Sequence, residues 1–169
     1  MRAAQRVRRE GCLAACLVVL ACAHGQPAPA PAADAASPAV RDAIIATLDD
    51  FNDAAAKADE HRYFAHFAPD GVFLGTDATE RWDKAAFQAY AHPHFAKGKA
   101  WSFKGVNRRI AVRGDLAWFE EDLETANLGP ARGSGVLIFS DGHWFLEQYV
   151  LSVTIPNDKF ATVKAALTK

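Results

Sequence analysis

Asp77, Glu80 and His92 are the side chains whose types and spacing suit acid–base chemistry. The two carboxylates share a polar loop, Thr76 to Trp82, beside an indole. A carboxyl held against an apolar wall loses solvation and titrates closer to neutrality, which is what a general acid or base needs. Asp77 has a second reading as the cap of a turn, a frequent use of Asp. His92 begins His92-Pro93-His94 at a helix end, where an imidazole serves either at a pocket rim or as an exposed loop residue.

Other polar side chains depend on which face of a strand they occupy, because alternate residues point to opposite sides. Trp118 and Glu120 share one face with Asp122, while Ala117, Phe119, Glu121 and Leu123 form a set that reads as core. The first set then faces solvent, a second subunit or a pocket. Glu147 and Tyr149 are expected together, opposite Trp144, Leu146, Gln148 and Val150. A phenol next to a carboxylate can donate to a developing oxyanion, and it can equally be a cross-strand surface contact. Arg132 either pairs with Glu120 or Glu124 on the neighbouring strand or, if buried, grips a ligand carboxylate.

Several chemistries lack their residues. His61 and His66 are five apart and do not share a helix face, and the His92/His94 pair has no third ligand in any motif, so no metal site is expected. There is no Gly-rich phosphate loop and no Ser-His-Asp order, and no cofactor is expected. The basic run Lys97, Lys99, Lys104, Arg108, Arg109 and Arg113 reads as a solvated strand edge rather than an anion patch.

All three cysteines, Cys12, Cys16 and Cys22, lie in the first 22 residues. Arg2, Arg6, Arg8 and Arg9 precede a short apolar run, the pattern of an export signal over residues 1–22. Val19-Leu20-Ala21-Cys22 approximates a lipobox, which makes Cys22 the expected lipidation site; the alternative is cleavage at small residues Ala21 and Ala23 and free secretion. Residues 23–38 form a Pro/Ala-rich tether, QPAPAPAADAASP from Gln26, followed by one domain over 39–169. Removing the signal takes away four arginines and Glu10, moving the formal charge from −1 to −4. A mildly acidic domain is a poor nucleic-acid partner, and membrane contact is expected only through the lipid anchor. The expected location is the periplasm or a membrane-anchored lipoprotein.

The elements that must position these residues follow from a change in hydrophobic period. Ser37-Pro38 starts a helix with Val40, Ile44, Leu48, Phe51 and Ala55 on one stripe. A short helix carrying Tyr63, Phe64 and Phe67 is predicted to stop at Pro69-Asp70-Gly71, before a strand over 72–75. A third helix, capped by Asp83, carries Phe87, Tyr90 and Ala91 inward until Pro93. Four antiparallel strands follow, near 102–112, 116–126, 132–139 and 143–155, and then a terminal helix with Phe160, Val163 and Leu167. This order makes an α+β domain with helices on one face of a sheet.

Three segments, GTDATERW at 75–82, Gly114-Asp-x-Ala-Trp118 and the hairpin ending at Trp144, resemble the SnoaL-like branch of the nuclear transport factor 2-like superfamily. The resemblance implies a cone: a curved antiparallel sheet wrapped around helices, with a pocket at the open end and frequent homodimers. Members include ketosteroid isomerase, polyketide cyclase, scytalone dehydratase and limonene epoxide hydrolase, beside binding domains without catalysis. Tyr63, Trp82, Trp118, Glu120, Arg132 and Tyr149 then become pocket candidates, and Asp77, Glu80 and His92 catalytic ones. The function expected is binding of a small, largely apolar ligand. The alternatives are a lyase, isomerase or cyclase using a pocket carboxylate as general base, and a non-catalytic dimerisation domain.

Overall fold

A computed structural model describes residues 36–168. The expected export signal with Cys22, and nearly all of the expected tether, lie outside the described residues. The elements are α1 (Pro38–Ala56), α2 (Glu60–Ala65), β1 (Phe67–Leu74), β2 (Arg81–Asp83), α3 (Lys84–Phe95), β3 (Lys104–Arg113), β4 (Leu116–Glu124), β5 (Ala131–Ser140), β6 (His143–Val153), a 3-10 turn (Asn157–Lys159) and α4 (Phe160–Leu167).

Helix α1 starts where Ser37 accepts from Val40 N at 3.3 Å, with Pro38 in the first turn, where its missing N–H is no loss. Its stripe of Ile44, Leu48, Phe51 and Ala55 is buried. Phe51 carries the packing onward, stacking on Tyr63 of α2 at 4.4 Å and lying 5.3 Å from Tyr149 of β6.

The sheet runs β2-β1-β6-β5-β4-β3. Its last four strands form the expected antiparallel meander, but β1 joins β6 in parallel, so the curved, unclosed sheet is mixed. Asp141-Gly142 turns β5 into β6 with φ of 51° and 81°, the left-handed pair that a tight hairpin demands.

Two boundaries differ from the sequence expectation. Phe67 belongs to β1 rather than to α2, because Pro69 and Gly71 are absorbed as an irregularity in the β1–β6 ladder between Phe67 and Val72. Helix α3 passes through Pro93 to Phe95. Pro93 is exposed and removes only one late backbone bond, while buried Phe95 anchors the final turn.

Two bulges decide what enters the cone. On β3, Val106 pairs with Asp122 and Arg109 with Glu120, so Asn107 and Arg108 together face Glu121. Asn107 takes φ 54° and Arg108 is turned inward. On β6 the register shifts between Leu146 and Gln148, across Glu147. The expected face is thereby overturned: Tyr149 joins Trp144 and Leu146 inside, while Gln148 is exposed.

Candidate functional site

The cone holds a pocket of about 230 Å³. Phe73 of β1, Trp82 of β2, Phe87 and Tyr90 of α3, Trp101 before β3 and Leu151 of β6 form most of its apolar wall. The rings lie nearly parallel: Phe73 on Phe87 at 4.0 Å, Trp82 on Tyr90 at 4.6 Å, and Phe87 beside Trp101 at 5.8 Å. Asp83 fixes their supports by capping α3, accepting from Ala86 N at 2.8 Å. Stacked walls of this kind favour a flat apolar guest.

Of the carboxylates read from the sequence, Glu80 lines this pocket. It also builds the loop: Oε2 accepts from Asp77 N at 3.1 Å, and the side chain folds over Gly75, where a Cβ would sit 2.1 Å from that oxygen. Asp77 is exposed and caps the turn, accepting from the Thr79 hydroxyl at 2.5 Å and the Thr79 N–H at 2.8 Å. These hydrogen bonds hold its carboxyl below the usual aspartate range. His92 lies on the outside of α3, with Nδ1 2.8 Å from Glu60 Oε2. Asp77, Glu80 and His92 do not converge.

Trp118, Glu120 and Arg132 lie on the outer sheet face, where Trp118 is 43 % exposed beneath the Arg113 guanidinium. Arg132 stands opposite Asp122 in the ladder, while Glu120 takes Arg109 at 3.2 Å and Glu124 takes Lys104 at 3.0 Å. Tyr63 and Tyr149 are inside, each 1 % exposed, and neither hydroxyl has a hydrogen-bond partner. Burial pushes both phenols well above their ordinary range, and the nearby Glu121 charge pushes Tyr149 further.

The polar heart of the cone is Glu121, which the sequence places in the inward set of β4 with Ala117, Phe119 and Leu123. A lone carboxylate in that set was the signal. Glu121 is 2 % exposed. Its Oε2 accepts from Arg108 Nε at 2.6 Å, and Arg108 Nη1 reaches Asp49 Oδ1 on α1 at 2.9 Å. Its Oε1 has no partner. Burial raises the Glu121 carboxyl above its ordinary range; the Arg108 charge and hydrogen bond and the Asn52 amide offset part of that, and the more distant Asp49 adds to it. Among the described residues no group of three His, Cys, Asp or Glu side chains is placed to hold a metal ion.

The family model for the SnoaL-like domain matches residues 44–156. No curated protein matches the chain by sequence. Among solved structures, a domain of unknown function with a cystatin-like fold from Nostoc punctiforme matches with TM-score 0.63 at 16% identity, over 79% of this chain and 89% of that one. A nuclear transport factor 2-like protein of unknown function from Pseudomonas putida gives 0.60 at 16% identity, over 73% and 92%. A candidate scytalone dehydratase from Novosphingobium aromaticivorans gives 0.59 at 13% identity, over 69% and 85%. At these identities the structural likeness speaks for the fold alone. The family match spans most of the chain, and the cone, its mixed sheet and its element order agree with it: the protein belongs to the SnoaL-like domain family of the nuclear transport factor 2-like superfamily.

Proposed function

We propose that this SnoaL-like domain binds a small, flat, largely apolar molecule between the rings of Phe73, Phe87, Trp82, Tyr90 and Trp101. The observation that carries the reading is the pocket itself, about 230 Å³ walled by near-parallel aromatic rings. That volume suits a guest of one or two rings, below the usual drug-sized range. The arginine-rich leader and Pro/Ala tether support a place in the cell envelope, held by a lipid on Cys22 or released.

Equilibrium dialysis against 2-naphthol tests the binding. The wild type is expected to retain the compound saturably, and Leu151→Trp, which fills the pocket from β6, is expected to abolish retention while the domain still melts cooperatively. Retention that survives Leu151→Trp contradicts this location.

A second reading, proton transfer on the bound molecule, falls to Glu80, the carboxylate that lines the pocket, rather than to Asp77 or His92. Asp77 is exposed and held ionised by Thr79, and His92 faces Glu60 on the outside of α3.

A further inference from the structure

Among the described residues, the wall of the aromatic pocket holds one carboxylate, Glu80, and no lysine or arginine. The cations nearby in sequence are directed elsewhere. Arg81 follows Glu80 on β2, where Trp82 pairs with Phe73 on the pocket side and Arg81 pairs with Leu74 on the opposite side, so its exposed side chain points away. Lys104, at the start of β3, pairs with Glu124 at 3.0 Å. The Glu80 carboxylate is left without a counter-charge among the described residues, and its one side-chain hydrogen bond there is from Asp77 N, at 3.1 Å.

That carboxylate is held at the pocket edge before any guest arrives. Gly75 N donates to Glu80 O at 2.8 Å, and Glu80 N donates to Asp77 O at 3.0 Å, which closes the loop on itself. The Asp77 N–H then fixes Oε2. Gly75, itself a lining residue, makes the space for it, since a Cβ there would overlap Oε2. A group fixed in this way loses little freedom on binding.

The chemistry of the wall selects its guest. Faces of Trp and Tyr rings attract cations, those of Trp most strongly, and Trp82, Tyr90 and Trp101 all line the pocket. A neutral apolar guest that covers the mouth strips water from the Glu80 carboxylate and returns nothing. An anionic guest meets that same charge with no lysine or arginine in the wall to receive it. A positively charged guest compensates the carboxylate and is attracted by the rings. Near-parallel walls, with Trp82 on Tyr90 at 21° and on Phe87 at 9°, further favour a flat one.

We propose that the pocket takes a flat organic cation, a nitrogen heteroaromatic ring of the N-alkylquinolinium type, with Glu80 as its counter-charge and Trp82, Tyr90 and Trp101 as its cation-attracting wall. This rests on the pocket reading above and assigns its guest a charge.

The test is isothermal titration calorimetry of the protein with 1-methylquinolinium and with 4-methylquinoline at about pH 8, where the second compound and an ordinary imidazole are neutral. The two compounds share size and ring shape and differ in charge. Wild type is expected to prefer the cation by about tenfold or more, and that preference is expected to fall as salt is raised. Glu80→Gln keeps an oxygen to accept from Asp77 N, and it is expected to cut the preference by at least about fivefold. Equal affinities in the wild type, tighter binding of 4-methylquinoline, or a preference that Glu80→Gln leaves unchanged overturns the cation while the aromatic pocket stands. If 2-naphthol is retained and neither quinoline binds, the cation falls alone; if none of the three binds, the pocket reading falls with it. Should Glu80→Gln lose its cooperative melt, the salt series on the wild type decides, and a preference indifferent to salt overturns the counter-charge.

Discussion

Arg108 and Glu121 meet inside the cone, Nε to Oε2 at 2.6 Å, because two residues of β3 are bulged opposite one residue of β4. The Arg108 side chain is 10% exposed and that of Glu121 is 0% exposed, so this is a buried pair. Its far end is anchored on α1 through Asp49 and the Ile45 carbonyl. The guanidinium therefore fastens the helix to the sheet at the depth where the carboxylate would otherwise stand alone.

Removing one partner of a buried pair leaves an uncompensated charge. Arg108→Met is expected to destabilise the domain by about 3–5 kcal/mol near neutral pH, read by urea unfolding. The loss should shrink in acid, where Glu121 takes up a proton and no longer needs a counter-charge. A loss that does not change with pH would mean that Arg108 acts through packing alone.

Glu121 also gives a signed pH dependence. Its folded pKa lies above the ordinary 4.5, so its contribution is complete below that value and is lost as pH rises through the folded pKa. Glu121→Gln is permanently neutral at this position and lacks the decline. Melting temperatures of the variant and the wild type, followed from about pH 4 to about pH 8, are expected to diverge in the variant's favour as pH rises. Parallel curves would contradict the raised pKa.

The α3 cap can be tested separately. Asp83→Ala removes the acceptor for Ala86 N and is expected to cost about 1 kcal/mol by denaturant unfolding. An unchanged midpoint would show that Phe87, Ala91 and Phe95 hold the helix start without its cap.

Gly133→Ala addresses the crowded floor of the cone. Its Cβ would lie 2.6 Å from Tyr149 Oη, so the phenol must shift, with an expected loss of about 1–3 kcal/mol in the same unfolding assay. A neutral substitution would mean that Tyr149 has room to move.

What was legible in the sequence was whatever a periodic pattern could carry. The α1 stripe, the Asp83 cap and the inward set of β4 all depend on local spacing, and the structure keeps them. The faces of Arg108 and Tyr149 were not legible, because each depends on a bulge, and one extra residue reverses the alternation beyond it. Arg108 looked like one more cation on a solvated strand, and Tyr149 like a neighbour of Glu147. Glu121 was placed on the correct face, yet it could not be recognised as the centre of the cone without Arg108 beside it. Apart from Trp82, the aromatic wall of the pocket stayed hidden for another reason. Its rings come from β1, β2, α3 and the stretch before β3, and only the curved sheet brings them together.

The four tryptophans offer the most direct measurement of the central claim. Trp82 and Trp101 line the pocket, Trp118 lies on the outer sheet face, and Trp144 is buried in the core without touching the pocket. In ¹H–¹⁵N spectra of the protein titrated with 2-naphthol, the indole N–H signals of Trp82 and Trp101 are expected to shift saturably while those of Trp118 and Trp144 stay in place. Static signals from Trp82 and Trp101, or a shift confined to Trp118, would contradict binding within the cone.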